Sequence, residues 1–303
     1  MPHCQIDLKH LKAYKQIQLN HNKNLSVFLK QHSTKEGTWA ELTVHHGSIE
    51  FLFLDGFGYE QAHHTLTAQS LPLTIPPSVW HQIKETSDQF EATLTFYCYP
   101  HRYFEKKYAL APIHHDLWNI YQTYFDQRDI MNILDIGCGS GRNPLYFALA
   151  GHHVIGIDNN QQALDKIQTI AQQEQLLNIT TYCHDLNHAL EIKNQQFDFI
   201  YSTVALQFLH PENIQSLLTQ LQSITAIGGM HCLILPIQTD PYDYPKSFSY
   251  LAQKEELYHF YQNNGWSIIE YTEKPGQLHK QGDSGLPRQG MFGKILAQNN
   301  FKH

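Results

Sequence analysis

The sequence predicts a doubly wound α/β domain preceded by a small all-β barrel, and three observations carry this. From Ile130 onward, short apolar runs alternate with amphipathic helical segments across short connections, the pattern of a parallel sheet covered by helices. Before residue 100 the apolar runs are short, repeat with period two and are bounded by Gly and Pro, as in a barrel or sandwich. The 303 residues suffice for two domains of about 100–200 residues each, expected over 1–100 and 101–303.

In the first part, Phe90, Ala92, Leu94, Phe96 and Cys98 alternate with other residues and predict a strand. β-rich runs over 38–45 and 48–54 flank His46-Gly47 and predict a hairpin there. Pro72, Pro76 and Pro77 leave little room for long helices. Residues 102–124 are aromatic-rich and form the junction, with a helix over 113–125. The α/β part then reads as strand 130–136, a Gly-rich turn, helix 143–150 closed by Gly151, strand 153–157, helix 161–175, and strands 179–183 and 197–201. Helix 211–225 has Pro near its start and is followed by Gly228-Gly229. Strand 230–235, helix 254–263 and strands 266–271 and 292–297 complete the pattern.

Composition narrows the function. Apolar residues are 42% and charged residues 16%, the balance of a soluble globular chain. No apolar run approaches the roughly 18 residues of a membrane helix, and Met1-Pro-His-Cys-Gln-Ile-Asp7 lacks the basic start and apolar stretch of a secretion signal. A cytoplasmic protein without membrane contact is expected. Residues 1–110 carry equal numbers of basic and acidic side chains, so the whole net charge of −7 falls on 111–303, which argues against a phosphate-tracking nucleic-acid surface. Cys4, Cys98, Cys138, Cys183 and Cys232 form no C-x-x-C pair and read as reduced thiols. The 21 histidines raise the question of a metal. They are spread over both domains, and the adjacent pairs at 45/46, 63/64, 114/115 and 152/153 point to opposite faces on a strand, so no metal is expected.

The chemistry is concentrated at Asp135-Ile-Gly-Cys-Gly-Ser-Gly141, between the first strand and first helix of the α/β part. Glycine there permits positive φ and close backbone approach to a ligand, and the following helix points its N-terminus at it. The spacing is G-x-G-x-G and not the dinucleotide fingerprint G-x-G-x-x-G, which speaks against a nicotinamide dehydrogenase. Asp158 ends the next strand, where a carboxylate can accept both hydroxyls of a ribose, and Asp185 ends the third.

These residues resemble the first motif of the class I S-adenosylmethionine (SAM) methyltransferases, which implies a Rossmann-like, doubly wound seven-stranded sheet and SAM as cofactor. By that resemblance Gly137, Gly139 and Gly141 line the methionine end, Asp158 the ribose, Asp185 and Leu186 the adenine, and Ser202 and Thr203 again the methionine end, with Asp135 and Asn159 also among the cofactor residues. More closely, Gly137-Cys-Gly-Ser-Gly-Arg-Asn143 with Leu145-Tyr-Phe, Asp185-Leu-Asn187, Phe197-Asp-Phe-Ile-Tyr-Ser-Thr-Val204, Gln207-Phe-Leu209 and Gly276-Gln-Leu-His279 resemble the bacterial tellurite-resistance methyltransferases of TehB type, over roughly 100–298 and in the same order. Lys107-Tyr108-Ala-Leu110 and His114 resemble that family's lead-in, which covers the cofactor. The resemblance adds Tyr108, His114, Arg142 and Asn143 to the cofactor residues. In the loop expected after Gly276, His279, Lys280 and Arg288 become the substrate-holding catalytic residues, with Lys280 standing where relatives often carry Arg. The turn-rich stretch 282–287 in that loop is expected to close over the substrate.

The N-terminal part resembles the domain that precedes the methyltransferase in longer family members, through His32-x-Thr34-x-x-Gly37-Thr38-Trp39, Gly47-x-Ile-Glu50-Phe51 and Ile75-Pro-Pro-Ser-Val-Trp-His81. It looks cupin-like. Convergence of His32, Glu50 and His81 is weighed there against ordinary surface or core histidine.

The resemblance implies methylation of tellurite, and of selenite, as detoxification. The expected partner is a small oxyanion, with no nucleic acid; a homodimer is left open. A methyltransferase of another small soft nucleophile, such as a thiol or thiopurine-like compound, has the same fold and is the alternative. An amino-methyltransferase of nucleic acid is disfavoured, because Ser202-Thr-Val-Ala-Leu206 is not the N/D-P-P-Y loop that grips a flipped base. A non-catalytic SAM-binding module stands as the other class.

Overall fold

The computed structural model describes residues 8–125, 129–192, 195–281 and 287–300, of 279–281 and 287 the backbone alone. The chain forms two compact units, Met1–Ala109 and Leu110–His303.

The first unit is all-β apart from two short helices. Its elements are β1 (Lys12–Leu19), α1 (Leu25–Phe28), β2 (His32–Ser33), β3 (Thr38–His46), β4 (Ser48–Leu54), β5 (Glu60–Thr67), β6 (Leu73–Ile75), β7 (Trp80–Thr86), β8 (Glu91–Cys98) and α2 (Tyr103–Tyr108). Two four-stranded antiparallel sheets, β1-β8-β3-β6 and β2-β7-β4-β5, share one core of Leu42, Phe51, Phe53, Ile83 and Leu94. Burying each such side chain contributes about 1.5–3 kcal/mol. The expected hairpin at His46-Gly47 is not one, because β3 and β4 lie in different sheets and do not pair. Gly47 turns the chain from one sheet into the other, and the corner is held by Ser87. Its Oγ accepts from the Ser48 N–H at 2.9 Å, and its own N–H donates to the Ser48 carbonyl at 3.0 Å. Helix α2, expected in the second domain, belongs to the first unit, where Tyr103 and Phe104 are buried.

The second unit runs α3 (His115–Tyr124), β9 (Asn132–Ile136), α4 (Pro144–Leu149), β10 (His153–Asp158), α5 (Gln161–Gln173), β11 (Ile179–Cys183), β12 (Phe197–Thr203), α6 (Pro211–Ser223), β13 (Thr225–Ile237), α7 (Glu256–Asn263), β14 (Ser267–Gln281) and β15 (Pro287–Gln298). These strands form one sheet in the order β11-β10-β9-β12-β13-β15-β14. β9 to β13 pair in parallel, whereas β15 is antiparallel to both its neighbours, so the sheet is mixed where a wholly parallel one was expected. The cause is sequence distance: only residues 282–286 separate β14 from β15, too few for the crossover that parallel neighbours need. Successive residues feed opposite faces. Ile133, Phe199, Tyr201 and Cys232 enter one core with Ile120 and Phe147; Leu134, Ile200 and Leu233 enter the other with Leu217 and Tyr261. Strand order reverses between β9 and β12, which sets the ligand crevice at their carboxyl ends.

No helix among the described residues is long and apolar enough to cross a membrane. Nor do the described residues hold a group of three or more His, Cys, Asp or Glu placed for a metal ion. Glu50 faces away from His32 and His81 in its partners: it accepts from Thr65 Oγ1 at 3.0 Å and pairs with His63 at 2.5 Å.

Candidate active site

The glycine turn leaves β9 directly at the crevice. The N–H groups of Gly137 and Cys138 donate to the Ile157 carbonyl at 2.8 and 3.0 Å, which ties the turn to the end of β10. Gly137 is required by its neighbour and by its own φ of +79°, since a Cβ there would overlap that of Ala205. Gly139, at φ +51°, faces open space with no atom within 4 Å of where a Cβ would stand, so it is the glycine whose bareness leaves room for a ligand. Gly141 is packed on Ile167 and Leu145.

Asp158 organises this turn. Its carboxylate accepts from the Gly139 N–H (2.8 Å) and the Asn160 N–H (2.9 Å), one on each oxygen. An ionised carboxylate has about four acceptor positions, so it can still meet a ribose diol. Asn159 beside it is exposed. Asp185 is also exposed, and hydrogen bonds from Asn187, the backbone N–H first, hold its pKa below the usual carboxylate range. The open Gly139 cradle and the acceptor capacity of Asp158 fit SAM.

Other expected cofactor residues are engaged within the protein. Asp135 is wholly buried. Its carboxyl oxygens make no hydrogen bond of standard geometry; burial pushes its pKa up to about 8, against the pull of Tyr201 and Arg142. Ser202 donates to the Ile136 carbonyl at 2.8 Å and so locks β12 to β9. Asn143 donates to Thr203 Oγ1 (3.1 Å) and accepts from the His114 N–H (3.0 Å), joining three segments at the crevice. Leu186 lies in the core. Tyr108 ends α2 in the first unit, its ring stacked on Phe104 and under the Lys107 ammonium.

A cavity of about 620 Å³ adjoins the crevice, lined among others by His114, Arg142, Thr203, Gln207, Phe248, Lys274, Phe292 and Lys294. Among the described residues its charged lining is Arg142, Lys274 and Lys294 against the single carboxylate of Asp116. Burial lowers the Arg142 pKa, with Asp135 and Tyr201 acting against it. Burial would also lower Lys294, but its bonds to Glu270 and Asp116 hold it above the ordinary lysine value. His114 is pushed down to about 4, by burial first and by Arg142 next, so its imidazole is neutral at pH 7. Its buried Nδ1 lacks a hydrogen bond, the nearest carboxylate, Asp116, being 3.7 Å away.

Val204, also in the lining, has φ +57°, a conformation β-branched residues rarely take. It is fixed by its N–H donating to the Ile234 carbonyl (2.8 Å) and by Gln207 Nε2 donating to its own carbonyl (2.7 Å). The Gln207 Oε1 is left buried without a partner. Backbone strain of this kind persists where surroundings over-determine it, typically at ligand sites.

The expected substrate loop is a strand. β14 continues through Gly276 to Gln281 and pairs with β15, because Gly276 lets the Phe292 ring lie across it; a Cβ would come within 2.8 Å of that ring. His279 and Lys280 lie in this strand, and their side chains are outside the described residues, as is the whole of 282–286. Arg288 is not brought to the cavity lining; its guanidinium donates to Asp243 at 3.2 Å. Lys294, Lys274 and Gln207 were not foreseen as substrate residues, although a lone lysine in the apolar run Met291-Phe-Gly-Lys294-Ile-Leu-Ala297 was a usable signal.

Two family models match the chain: "Tellurite resistance protein TehB" over residues 96–294 and "TehB-like domain" over 18–94. A Haemophilus influenzae protein named "Probable S-adenosyl-L-methionine-dependent methyltransferase TehB" is 35% identical, covering 95% of this chain and 98% of its own. Hemagglutinin 1 of Eikenella corrodens is 29% identical, covering 83% of this chain and 81% of its own. The crystal structure of TehB from Haemophilus influenzae superposes with a TM-score of 0.85 at 34% identity, covering 96% of this chain and 99% of that one.

Proposed function

The chain belongs to the TehB tellurite-resistance family, a SAM-dependent methyltransferase with the class I fold on a mixed sheet, and we propose that it methylates tellurite, and selenite with it, as a detoxifying enzyme of the cytoplasm. The observation that supports this reading most is the cavity beside the glycine turn, where Arg142 and Lys274 face a space walled by Phe248, Phe292 and Ile234.

When bound, SAM supplies a methyl group on a sulfonium, to which the lone pair of tellurium(IV) can bond as the carbon–sulfur bond breaks, with no proton to remove. A strong general base is therefore unnecessary. The work left to the protein is positioning and exclusion of water. Arg142 presents a planar fork of donors suited to two oxygens of one oxyanion. Lys274 adds a second cation. The neutral His114 does not add charge, and the Gln207 Oε1, which has no partner among the described residues, can accept a polar hydrogen of what enters. Phe248, Phe292 and Pro245 keep the space poor in water, which strengthens each charge interaction. His279 and Lys280 are kept as substrate residues on family resemblance alone; Arg288, paired with Asp243, does not line the cavity.

The apolar walls also favour a second substrate class, a small thiol or thiopurine-like compound. Release of S-adenosylhomocysteine from SAM, measured with tellurite, selenite, a thiol panel and no substrate, separates the two. Tellurite turnover above the blank is expected. Turnover confined to a thiol would replace the first reading by the second.

A further inference from the structure

The first unit holds a cavity of its own, about 390 Å³, between its two sheets. Nothing in methyl transfer uses it. Three lysines from separate elements line it, Lys15 of β1, Lys35 ahead of β3 and Lys106 of α2, and no carboxylate does among the described residues. Gathering like charges in one concavity is unfavourable unless an anion is drawn to it. The wall behind them is built, not incidental. Thr38, 5% exposed, turns its hydroxyl toward Tyr14 in the cavity wall.

Two imidazoles complete the lining. His32 and His81 face each other across β2 and β7, with ring centroids 4.3 Å apart. Each Nδ1 is bonded to a backbone carbonyl, Lys30 at 2.7 Å and Val79 at 2.8 Å. A carbonyl only accepts, so Nδ1 carries the hydrogen and, in the neutral ring, Nε2 is an acceptor. His81 is 3% exposed, and burial keeps its ring neutral with a pKa of about 4. The cavity thus combines cationic and hydroxyl donors with imidazole acceptors, a set that matches a ligand bearing both negative oxygens and an O–H.

We propose that this cavity binds a small oxyanion that still carries a proton, with Lys15, Lys35, Lys106 and Thr38 donating to its oxygens and the His32–His81 pair accepting its O–H. Hydrogen selenite and hydrogen phosphate have this chemistry at pH 7; sulfate has the charge without the proton. The inference does not rest on tellurite being the methyl acceptor.

The test is calorimetric titration of the full-length protein at pH 7 without SAM, using selenite, phosphate and sulfate in turn, with crystals soaked in selenite to locate the selenium by anomalous scattering. Selenite and phosphate are expected to bind at least about tenfold more tightly than sulfate, with a selenium peak among Lys15, Lys35 and Lys106. Lys15→Gln combined with Lys35→Gln changes two exposed side chains, leaves the fold intact, and should weaken binding about tenfold or more, the loss of charge-assisted bonds. Lys294→Met, in the other unit, should leave that site's selenium peak in place. Sulfate binding as tightly as phosphate, selenium found only in the second unit, or affinity unchanged in the double lysine variant would each overturn the proposal.

Discussion

The Lys294 ammonium lies 3.0 Å from the Asp116 carboxylate although 178 residues separate them, and 2.7 Å from Glu270. One cation thus holds two carboxylates at the edge of the cavity beside the glycine turn, and Lys294 is only 14% exposed there. The triad is net negative; in the proposed reaction Arg142 and Lys274 meet the oxyanion, while Lys294 offsets the carboxylates beside it. Lys294→Met is expected to lower kcat/KM for the oxyanion by about 10- to 100-fold, the range for losing charge-assisted bonds of about 1.5–3 kcal/mol. SAM affinity, measured by titration, should stay within about threefold. An equal loss of SAM binding would place Lys294 at the cofactor instead.

The glycine turn predicts a contrast between two substitutions of the same size. Gly137→Ala drives a methyl into Ala205 at a φ of +79° and should prevent stable folding of the second unit. Gly139→Ala meets nothing, so its fold cost is the left-handed conformation alone, roughly 1–2 kcal/mol. Its methyl, however, stands in the open cradle, and SAM affinity should fall at least tenfold. A melt and a SAM titration on each variant check this. Gly139→Ala binding SAM as well as the wild type would remove Gly139 from the cofactor site.

Arg288→Ala should change oxyanion turnover by less than about threefold. Its partner Asp243 is 88% exposed, and exposed ion pairs are worth about 0–1 kcal/mol. The segment bearing Asp243 is held independently by the Tyr244 hydroxyl, which accepts from the Met291 N–H at 2.9 Å. A steady-state comparison at saturating SAM decides it, and a hundredfold loss would put Arg288 on the substrate after all.

Features fixed by local spacing were legible in the sequence. The glycine turn, the acid ending β10 and the alternation of β8 follow from neighbours a few residues apart, and the structure has them in place. What failed depends on pairing over long distances. The family resemblance places a loop after Gly276, yet β15 supplies partners that keep β14 extended to Gln281. Gly228-Gly229 likewise reads as a stop, although β13 runs through it from Thr225. Exposure of a polar side chain is also a tertiary property: Asp135, Ser202 and Asn143 sit at motif positions but face inward, while Lys274 and Lys294 reach the cavity from positions no motif marks.

Asp135 should leave a signature in pH-dependent stability. With its pKa raised by burial to about 8, the folded protein keeps a proton that the unfolded chain, near 3.9, has lost by pH 5. Stability from this group is complete below about pH 4 and declines as pH rises toward 8, by about 1.4 kcal/mol per pH unit. Asp135→Asn removes that slope. Its melting temperature relative to wild type should rise between pH 5 and pH 8, and a difference independent of pH would contradict the buried, protonated acid.

The histidines act with the opposite sign. His81, His114 and His231 are held by burial at pKa values of about 4, 4 and 3, below the 6.5 of an unfolded chain. His231 is enclosed between Thr225 Oγ1 at 2.7 Å and the Tyr261 hydroxyl at 2.6 Å. Below pH 6.5 the unfolded chain takes up protons that these three refuse when folded, so their stability is present above pH 6.5 and is lost as pH falls toward their folded values. At pH 5 nearly three protons enter on unfolding through these three histidines, while Asp135 releases one. Their combined contribution is a net uptake of about two, a loss of roughly 3 kcal/mol per pH unit on further acidification. Calorimetric unfolding in buffers of different ionisation enthalpy measures the uptake directly. Asp135→Asn should raise it by one proton at pH 5, because the release is gone and the histidines remain. An unchanged count in that variant would mean the carboxyl is ionised in the folded protein, and a wild-type uptake near zero would mean the buried imidazoles are charged.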